Sequence, residues 1–249
     1  MDKIKKSDID FSKTKLDTSI GFWGNSLYID YDNNKFYKMF SFMSDERRHK
    51  IEDKLDAFSE LDKEYVSNPI ELIYDDNGKL VGYSQRLING KTLFKTISDI
   101  TILEKMKTLL KASKNLEDLH KNNVVVCDMH FDNIMVNEFG EPFFIDIDSF
   151  QINGIEPFCT SSILSSYYDK KGKKVDKSVN SDIIGFYLCF FERLFKREIY
   201  SVKLESYNSY LEDSYLKKLY PIFFELNKRS NDIPTVPYLH KVLKNYDNS

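Results

Sequence analysis

Residues 182–195, DIIGFYLCFFERLF, are apolar almost all round a helix. A helix of that kind keeps no solvent face, so it must be buried by other elements. Its unbroken apolar run, Ile183 to Phe191, is nine residues, far short of the roughly 20 that a bilayer requires. The helix therefore belongs inside a folded unit. With 249 residues, 41% of them hydrophobic, the chain can bury one sizeable core or two modest lobes without disulfides or metals.

Upstream, the patterning is of a different kind. Ser19–Trp23, Leu27–Tyr31 and Lys35–Phe40 are short apolar-aromatic runs, and Asp32-Asn33-Asn34 between the last two is hairpin-turn chemistry. Ser44–Leu61 predicts a helix. Ser44 can cap it, acidic residues follow in the first turn, and Ile51, Leu55 and Phe58 recur at helical spacing. Ile70–Tyr74 and Lys79–Leu87 flank Asp76-Asn77-Gly78, a second hairpin signal. Residues 11–87 thus predict a five-stranded antiparallel sheet with one helix.

The character changes near Asn89-Gly90. Thr101 to Glu104 fits a capping box, and Leu103, Met106, Leu110, Leu116 and Leu119 mark a long helix. Val124–Val126 is β-branched, and Ile134–Val136 and Pro142–Ile145 predict two small strands around a turn at 138–141. From Ser181 the chain reads as mostly helical. The expected class is α+β: one domain over 1–249, with a small antiparallel β lobe (11–87) and a larger, mainly helical lobe (88–249).

Composition excludes several classes. Basic and acidic residues number 36 and 39, a net charge of −3, without the basic footprint of a nucleic-acid binder. Nine glycines and six prolines rule out a collagenous or linker-dominated chain. Cys127, Cys159 and Cys189 show no zinc-type spacing and point to free thiols in a reducing compartment. The N-terminal MDKIKKSDIDF has lysines but no apolar stretch of a secretory signal. The expected location is cytoplasmic, with no membrane span and no nucleic-acid partner.

The chemistry concentrates in DLHKNNVVVCDMHFDNIMVNEFGEPFFIDIDSF, residues 118–150. Asp128 is followed five residues on by Asn133, and Asn133 thirteen on by Asp146. Each sits beside an apolar strand-like run, which predicts strand-end positions facing one cleft. Phosphoryl transfer needs such a set: one carboxylate to take the acceptor's proton, and an amide oxygen and a second carboxylate to hold Mg²⁺ against nucleotide phosphates.

In these residues the chain resembles the protein-kinase-like superfamily, over roughly 19–195. Val126-Cys127-Asp128-Met129-His130-Phe131-Asp132-Asn133 is similar to the family's H-R-D-x-x-x-x-N loop, and Asp146-Ile147-Asp148 to its D-F-G. The resemblance implies a two-lobed fold with ATP in the cleft, Asp128 as catalytic base, and Asn133 and Asp146 as Mg²⁺ ligands. It makes Lys38, in Phe36-Tyr37-Lys38-Met39, the phosphate-contacting lysine, and it makes Glu52 its ion-pair partner, with Glu60 as the alternative. Gly21 and Gly24 lie where the family keeps its phosphate cover. Gln85, Leu87 and Ile88 fall in the adenine-binding hinge, about Gln85–Gly90. Ser181-Asp182-Ile183-Ile184-Gly185-Phe186 resembles the buried helix start whose aspartate holds the catalytic-loop amides.

The departures bear on the acceptor. Val126 and Cys127 replace the family's histidine and arginine, so a phosphate on residues 149–168 lacks its usual charge partner. Asp128-Met129-His130 and Asp146-Ile147-Asp148 are similar to aminoglycoside- and choline-type kinases. The expected function is an ATP- and Mg²⁺-dependent protein serine/threonine kinase. The alternatives are a small-molecule kinase acting on a hydroxyl compound and a pseudokinase binding module.

Overall fold

The computed structural model describes residues 1–16, 25–41, 43–157, 160–228 and 230–244. They form an α+β chain that divides into two units. One holds residues 1–89, 143–148 and 152–155; the other holds 90–142, 149–151 and 156–249.

The first unit is built on a sheet of β1 (Asp2–Lys5), β2 (Lys15–Leu16), β3 (Ser26–Asp30), β4 (Lys35–Met39), β5 (Pro69–Tyr74) and β6 (Leu80–Arg86), in the order β1-β5-β6-β4-β3-β2. The two hairpins stand where turn chemistry predicts them. In the first, both oxygens of Asp30 accept from Asn33, and Asn34 turns the chain at a φ of 53°. In the second, Asp75 accepts from the amides of Asn77 and Lys79, and Gly78 takes a φ of 76°.

The five-strand antiparallel expectation needs correction. The sheet is six-stranded and mixed, because β1 runs parallel to β5, with Asp2 opposite Glu71 and Lys5 opposite Tyr74. β1 reads DKIK and β2 only KL, too polar and too short to carry a period-two signal. The expected strand at 19–23 lies outside the described residues.

Alternation gives the sheet two faces. Tyr37, Met39 and Ile73 form a buried cluster on one, covered by Ile4, Ile9 and Phe11 of the N-terminal segment. Lys38 falls on the other, opposite Tyr83. α1 (Asp45–Leu61) is capped by Ser44, whose hydroxyl accepts from the Arg47 amide at 3.3 Å. Its buried stripe is Ile51, Lys54, Leu55 and Phe58, so a lysine occupies an interior helical position. The chain after residue 142 returns to this unit. Phe144 accepts from the Ser67 amide at 2.9 Å and donates to Tyr65 O at 2.8 Å, which carries residues 146 and 148 alongside.

The second unit opens with β7 (Gly90–Thr92), α2 (Leu93–Asp99) and α3 (Ile102–Lys121). The Thr101–Glu104 capping box forms as predicted. β8 (Val124–Val125) precedes the loop to β9 (Ile134–Asn137), which pairs antiparallel with β7. Asn137 closes the turn toward β10 (Pro142–Phe144) by accepting from the Phe139 and Glu141 amides, and β11 (Gln151–Ile152) follows. Then come α4 (Ser162–Lys170), α5 (Val179–Phe195), α6 (Leu204–Tyr207), α7 (Ser214–Asn227) and α8 (Leu239–Val242). Among the described residues, no helix is long and apolar enough to cross a membrane.

α5 is the helix that the apolar run predicts, with every residue from Ser181 to Phe191 buried. Phe191 meets Phe223 edge-on at 5.4 Å, and Tyr207 stacks on Phe223 at 4.7 Å, tying α6 and α7 to it. On its other side Gly185 lets Met129 approach. A Cβ at 185 would stand 3.0 Å from that of Met129 and 3.3 Å from Leu164 Cγ. Replacing Gly185 with Val therefore overpacks this contact, and we expect a loss of about 1–3 kcal/mol. A urea midpoint equal to that of the unsubstituted chain would show that the loop yields freely.

Candidate functional site

In the first unit, Lys38 Nζ donates to Asp146 Oδ1 and, at 2.8 Å, to Asp148 Oδ1. Tyr83 Oη donates to the same Asp148 oxygen at 2.9 Å. Lys54 Nζ, wholly buried on α1, donates to the Asp148 carbonyl at 2.9 Å. Lys38 thus meets two carboxylates and Lys54 a backbone carbonyl in a largely buried cluster, where an unpaired charge would be costly. Asp146 takes a left-handed φ of 63°, which aspartate tolerates better than most side chains.

The surroundings shift these groups in consistent directions. Burial disfavours the Lys38 ammonium, but the charges of Asp146 and Asp148 outweigh it and hold its pKa above the ordinary value of 10.5. Burial also acts against the Asp148 carboxylate, and Lys38 outweighs it, so its pKa lies below the ordinary 3.8. Burial, then Asp148, pushes the Tyr83 phenol well above 10.

The expected Lys38–Glu52 pair is not formed. Glu52 lies beside the buried stripe of α1, and its carboxylate accepts from Lys3 Nζ at 3.2 Å and from the Tyr74 hydroxyl. The missing partner of Glu52 was β1, which brings Lys3 beside α1. The counter-charge to Lys38 comes from Asp146 and Asp148 instead. Lys54 was legible in principle, since it falls on the Ile51–Leu55–Phe58 stripe where a charge has no solvent.

Gln85 follows Tyr83 by two positions on β6 and so shares the face of Lys38. It is buried, and its Oε1 meets no donor among the described residues. Leu87 donates its amide to Asn34 O at 3.0 Å, so that group is engaged within the protein. Ile88 is half-buried and outside regular structure. Gly21 and Gly24 lie outside the described residues.

In the second unit the loop after β8 is held from below. Asp182, with no exposure, accepts from the Val126 amide at 2.6 Å and the Cys127 amide at 2.8 Å. This is the contact the resemblance implies for the helix-start aspartate. His120 Nε2 lies 2.8 Å from the same carboxylate, and its Nδ1 lies 2.8 Å from Tyr238 Oη. The sequence reading missed His120, whose place at the end of α3 acquires meaning only when α5 packs beside it.

Two anchored amides turn the chain sharply. Cys127 has a φ of 61°, and the Asp128 amide donates back to Val126 O at 2.6 Å. Asp128 is thereby presented half-buried. Asn133 Nδ2 donates to its carbonyl at 2.9 Å and to its Oδ2 at 3.1 Å. With its amino group spent, Asn133 keeps Oδ1 as an acceptor that meets no donor among the described residues. Among the described residues no cluster of three or more His, Cys, Asp or Glu side chains is placed to hold a metal.

The described hydroxyl residues of the segment 149–168 divide between buried and accessible positions. Ser149, Ser161, Tyr167 and Tyr168 are buried, and the Ser161 amide donates to Cys127 O at 3.2 Å. Ser162 is exposed.

Two predictions follow from the anchored groups. Asp182→Ala strands two buried amides and His120, and should cost about 3–5 kcal/mol in denaturant unfolding. A loss under about 1 kcal/mol would mean that water replaces the carboxylate. For Asp148, the folded protein binds fewer protons than the unfolded chain. Its contribution is therefore complete above the ordinary 3.8 and drains away as pH falls through the lower folded value. The stability gap between the unsubstituted chain and Asp148→Asn should be widest near neutral pH and narrow below about pH 4. A gap constant down to pH 2 would contradict the ion pairing.

No protein-family model matches the chain, and no curated protein matches it.

Proposed function

We propose that this protein is an ATP- and Mg²⁺-dependent phosphotransferase of the protein-kinase-like kind, acting on serine or threonine hydroxyls of a protein. The observation that carries the reading is the buried Lys38–Asp146–Asp148 cluster, together with a loop that Asp182 holds so as to present Asp128 bonded to Asn133. Structural ion pairs alone do not require an aspartate tied to an asparagine five residues on, nor a strand lysine buried against two acidic groups on one short turn.

In this reading Asp128 orients the acceptor hydroxyl and takes its proton as the phosphorus–oxygen bond forms. Lys38 sets a positive charge against the phosphate oxygens, and Asp148 with Tyr83 keeps its ammonium in place. Asn133 Oδ1 and Asp146 would hold Mg²⁺, which offsets the phosphate charge when bound. Gln85 Oε1 is a buried acceptor without a donor among the described residues, and leaving one unmet costs about 1–3 kcal/mol. The amino group of adenine is the donor that this reading supplies. The two-lobed arrangement belongs to the same proposal.

The SDIIGF element and its bonds to the loop amides favour a protein acceptor. A small hydroxyl compound is the second reading, favoured by His130, which stands two residues after Asp128 and lines a cavity of about 370 Å³. A binding-only role fits less well with a base, a lysine and two oxygen ligands that all keep their side-chain chemistry.

Incubation with ATP labelled at the γ-phosphate tests the proposal, reading label on added proteins and on small alcohols. Asp128→Asn should abolish most transfer while leaving ATP affinity within about threefold, because the base acts on the acceptor. Transfer at the unsubstituted rate would refute the assignment. Asp146→Ala should lose the Mg²⁺ dependence of ATP binding in calorimetry, and an unchanged magnesium effect would remove Asp146 from the metal site.

Regulation gives a further expectation. Ser149, Ser161, Tyr167 and Tyr168 of the segment 149–168 are buried, and Cys127 offers no charge to a phosphate. Phosphatase-treated protein should keep its initial rate. A collapse of tenfold or more, about 1.4 kcal/mol in barrier, reversed by rephosphorylation, would contradict it.

A further inference from the structure

The cavity beside the Asp128 loop lies wholly within the second unit, and its wall chemistry is uneven. Its floor is apolar, formed by Phe131, Ile163 and Cys189. Cys189 Sγ donates to Met129 O at 3.8 Å, so the floor is continuous with the loop that carries Asp128. One wall is a pile of flat groups. Phe94 stacks on the His130 ring at 6.2 Å, and the Arg193 guanidinium lies 4.0 Å over Phe94 while donating to Ser98 Oγ.

The rest of the lining is charged, and its acids are already occupied or weakened. Glu198 is paired with Lys170. Burial, and then Glu198, pushes the Glu192 carboxyl up to about 7, so it carries only part of a charge at neutral pH. Lys196 and Arg197 stand at the cavity edge just past α5, exposed, with no ion pair or hydrogen bond to any described side chain. The cavity therefore holds a surplus of positive charge within reach of the loop.

We infer that this cavity is the acceptor site and that it takes a hydroxyl compound carrying an anionic group, with Lys196 and Arg197 as the residues that select the charge. The inference rests on the phosphotransferase reading for the word acceptor, but not for the binding itself. The anionic group can be an acidic side chain next to a serine or a carboxylate or phosphate on a small alcohol; the chemistry that Lys196 and Arg197 recognise is the same. A volume of about 370 Å³ is at the small end of ligand pockets, enough for one side chain with its neighbour or for one compact metabolite. Cations past a helix C-terminus also complement its dipole. That role shows in thermal stability, whereas charge selection shows in affinity, so the two separate experimentally.

The test is direct binding to the full-length chain without ATP. The probes are fluorescent peptides with one serine flanked by aspartates, by alanines or by lysines, and, by competition, glycerate and glycerol phosphate against glycerol. We expect the aspartate peptide or the anionic alcohols to bind at least tenfold more tightly than their neutral counterparts at low salt, with the preference weakening as salt rises. The double variant K196E/R197E should lose that preference and shift it toward the lysine peptide, with its melting temperature little changed. A preference seen only for peptides identifies a protein acceptor, and one seen only for alcohols a small-molecule acceptor; each supports the site. Equal binding of all probes, or a preference that survives K196E/R197E, would overturn it. Transfer from labelled ATP is then measured with the same probes. Anion-selective binding without any transfer would break the phosphotransferase reading and leave the site standing. Transfer indifferent to charge would do the reverse.

Discussion

One carboxylate organises the second unit. Asp182 is wholly buried, and its carboxylate oxygens accept from two backbone amides and face His120. Desolvating an aspartate is affordable only when its oxygens are met so completely. Because α5 is buried nearly all round, the carboxylate at its start cannot move, and neither can the amides of Val126 and Cys127. The left-handed turn at Cys127 and the placing of Asp128 follow from that single fixed point. Gly185, one turn further along α5, completes the contact by admitting Met129.

The first unit solves a different electrostatic problem. Lys38 and Lys54 both lie inside, and each would be untenable alone. Asp148 meets both, with its side chain toward Lys38 and Tyr83 and its carbonyl toward Lys54. The strand of Phe144 beside Tyr65–Ser67 delivers that residue. A helix glutamate is not needed, and Glu52 is released to hold β1 through Lys3 and Tyr74. The position of the acidic pair is thus tied by backbone bonds to the segment 65–67 that leads into β5, rather than by a long, flexible side chain.

Local chemistry was legible wherever it acts over a few residues. The Asp-Asn-rich hairpins, the Ser44 cap, the Thr101–Glu104 box and the buried run of α5 all form as their residues predict. Partners distant in sequence were not. β1 is four residues, mostly charged, and exists because β5 offers a free edge for it. The pairing of Lys38 depends on a chain segment more than a hundred residues away, and no period or spacing encodes which of several acids will reach it.

What the sequence by itself determined was a set of polar groups at fixed spacing: Asp128 and Asn133, Asp146 with Asp148 beyond, and a lysine on an early strand. Those follow from residue type and short-range order, which fix local turns and strands. Only the tertiary structure decided which charges meet. Coulomb energy and desolvation depend on distance and burial in space, and both are settled when sheet, helix α1 and the returning strand close on one another. That closure turned Lys54 inward and gave Lys38 to the aspartates, while in the second unit the packing around α5 left Lys196 and Arg197 at the rim of a cavity without a partner among the described side chains.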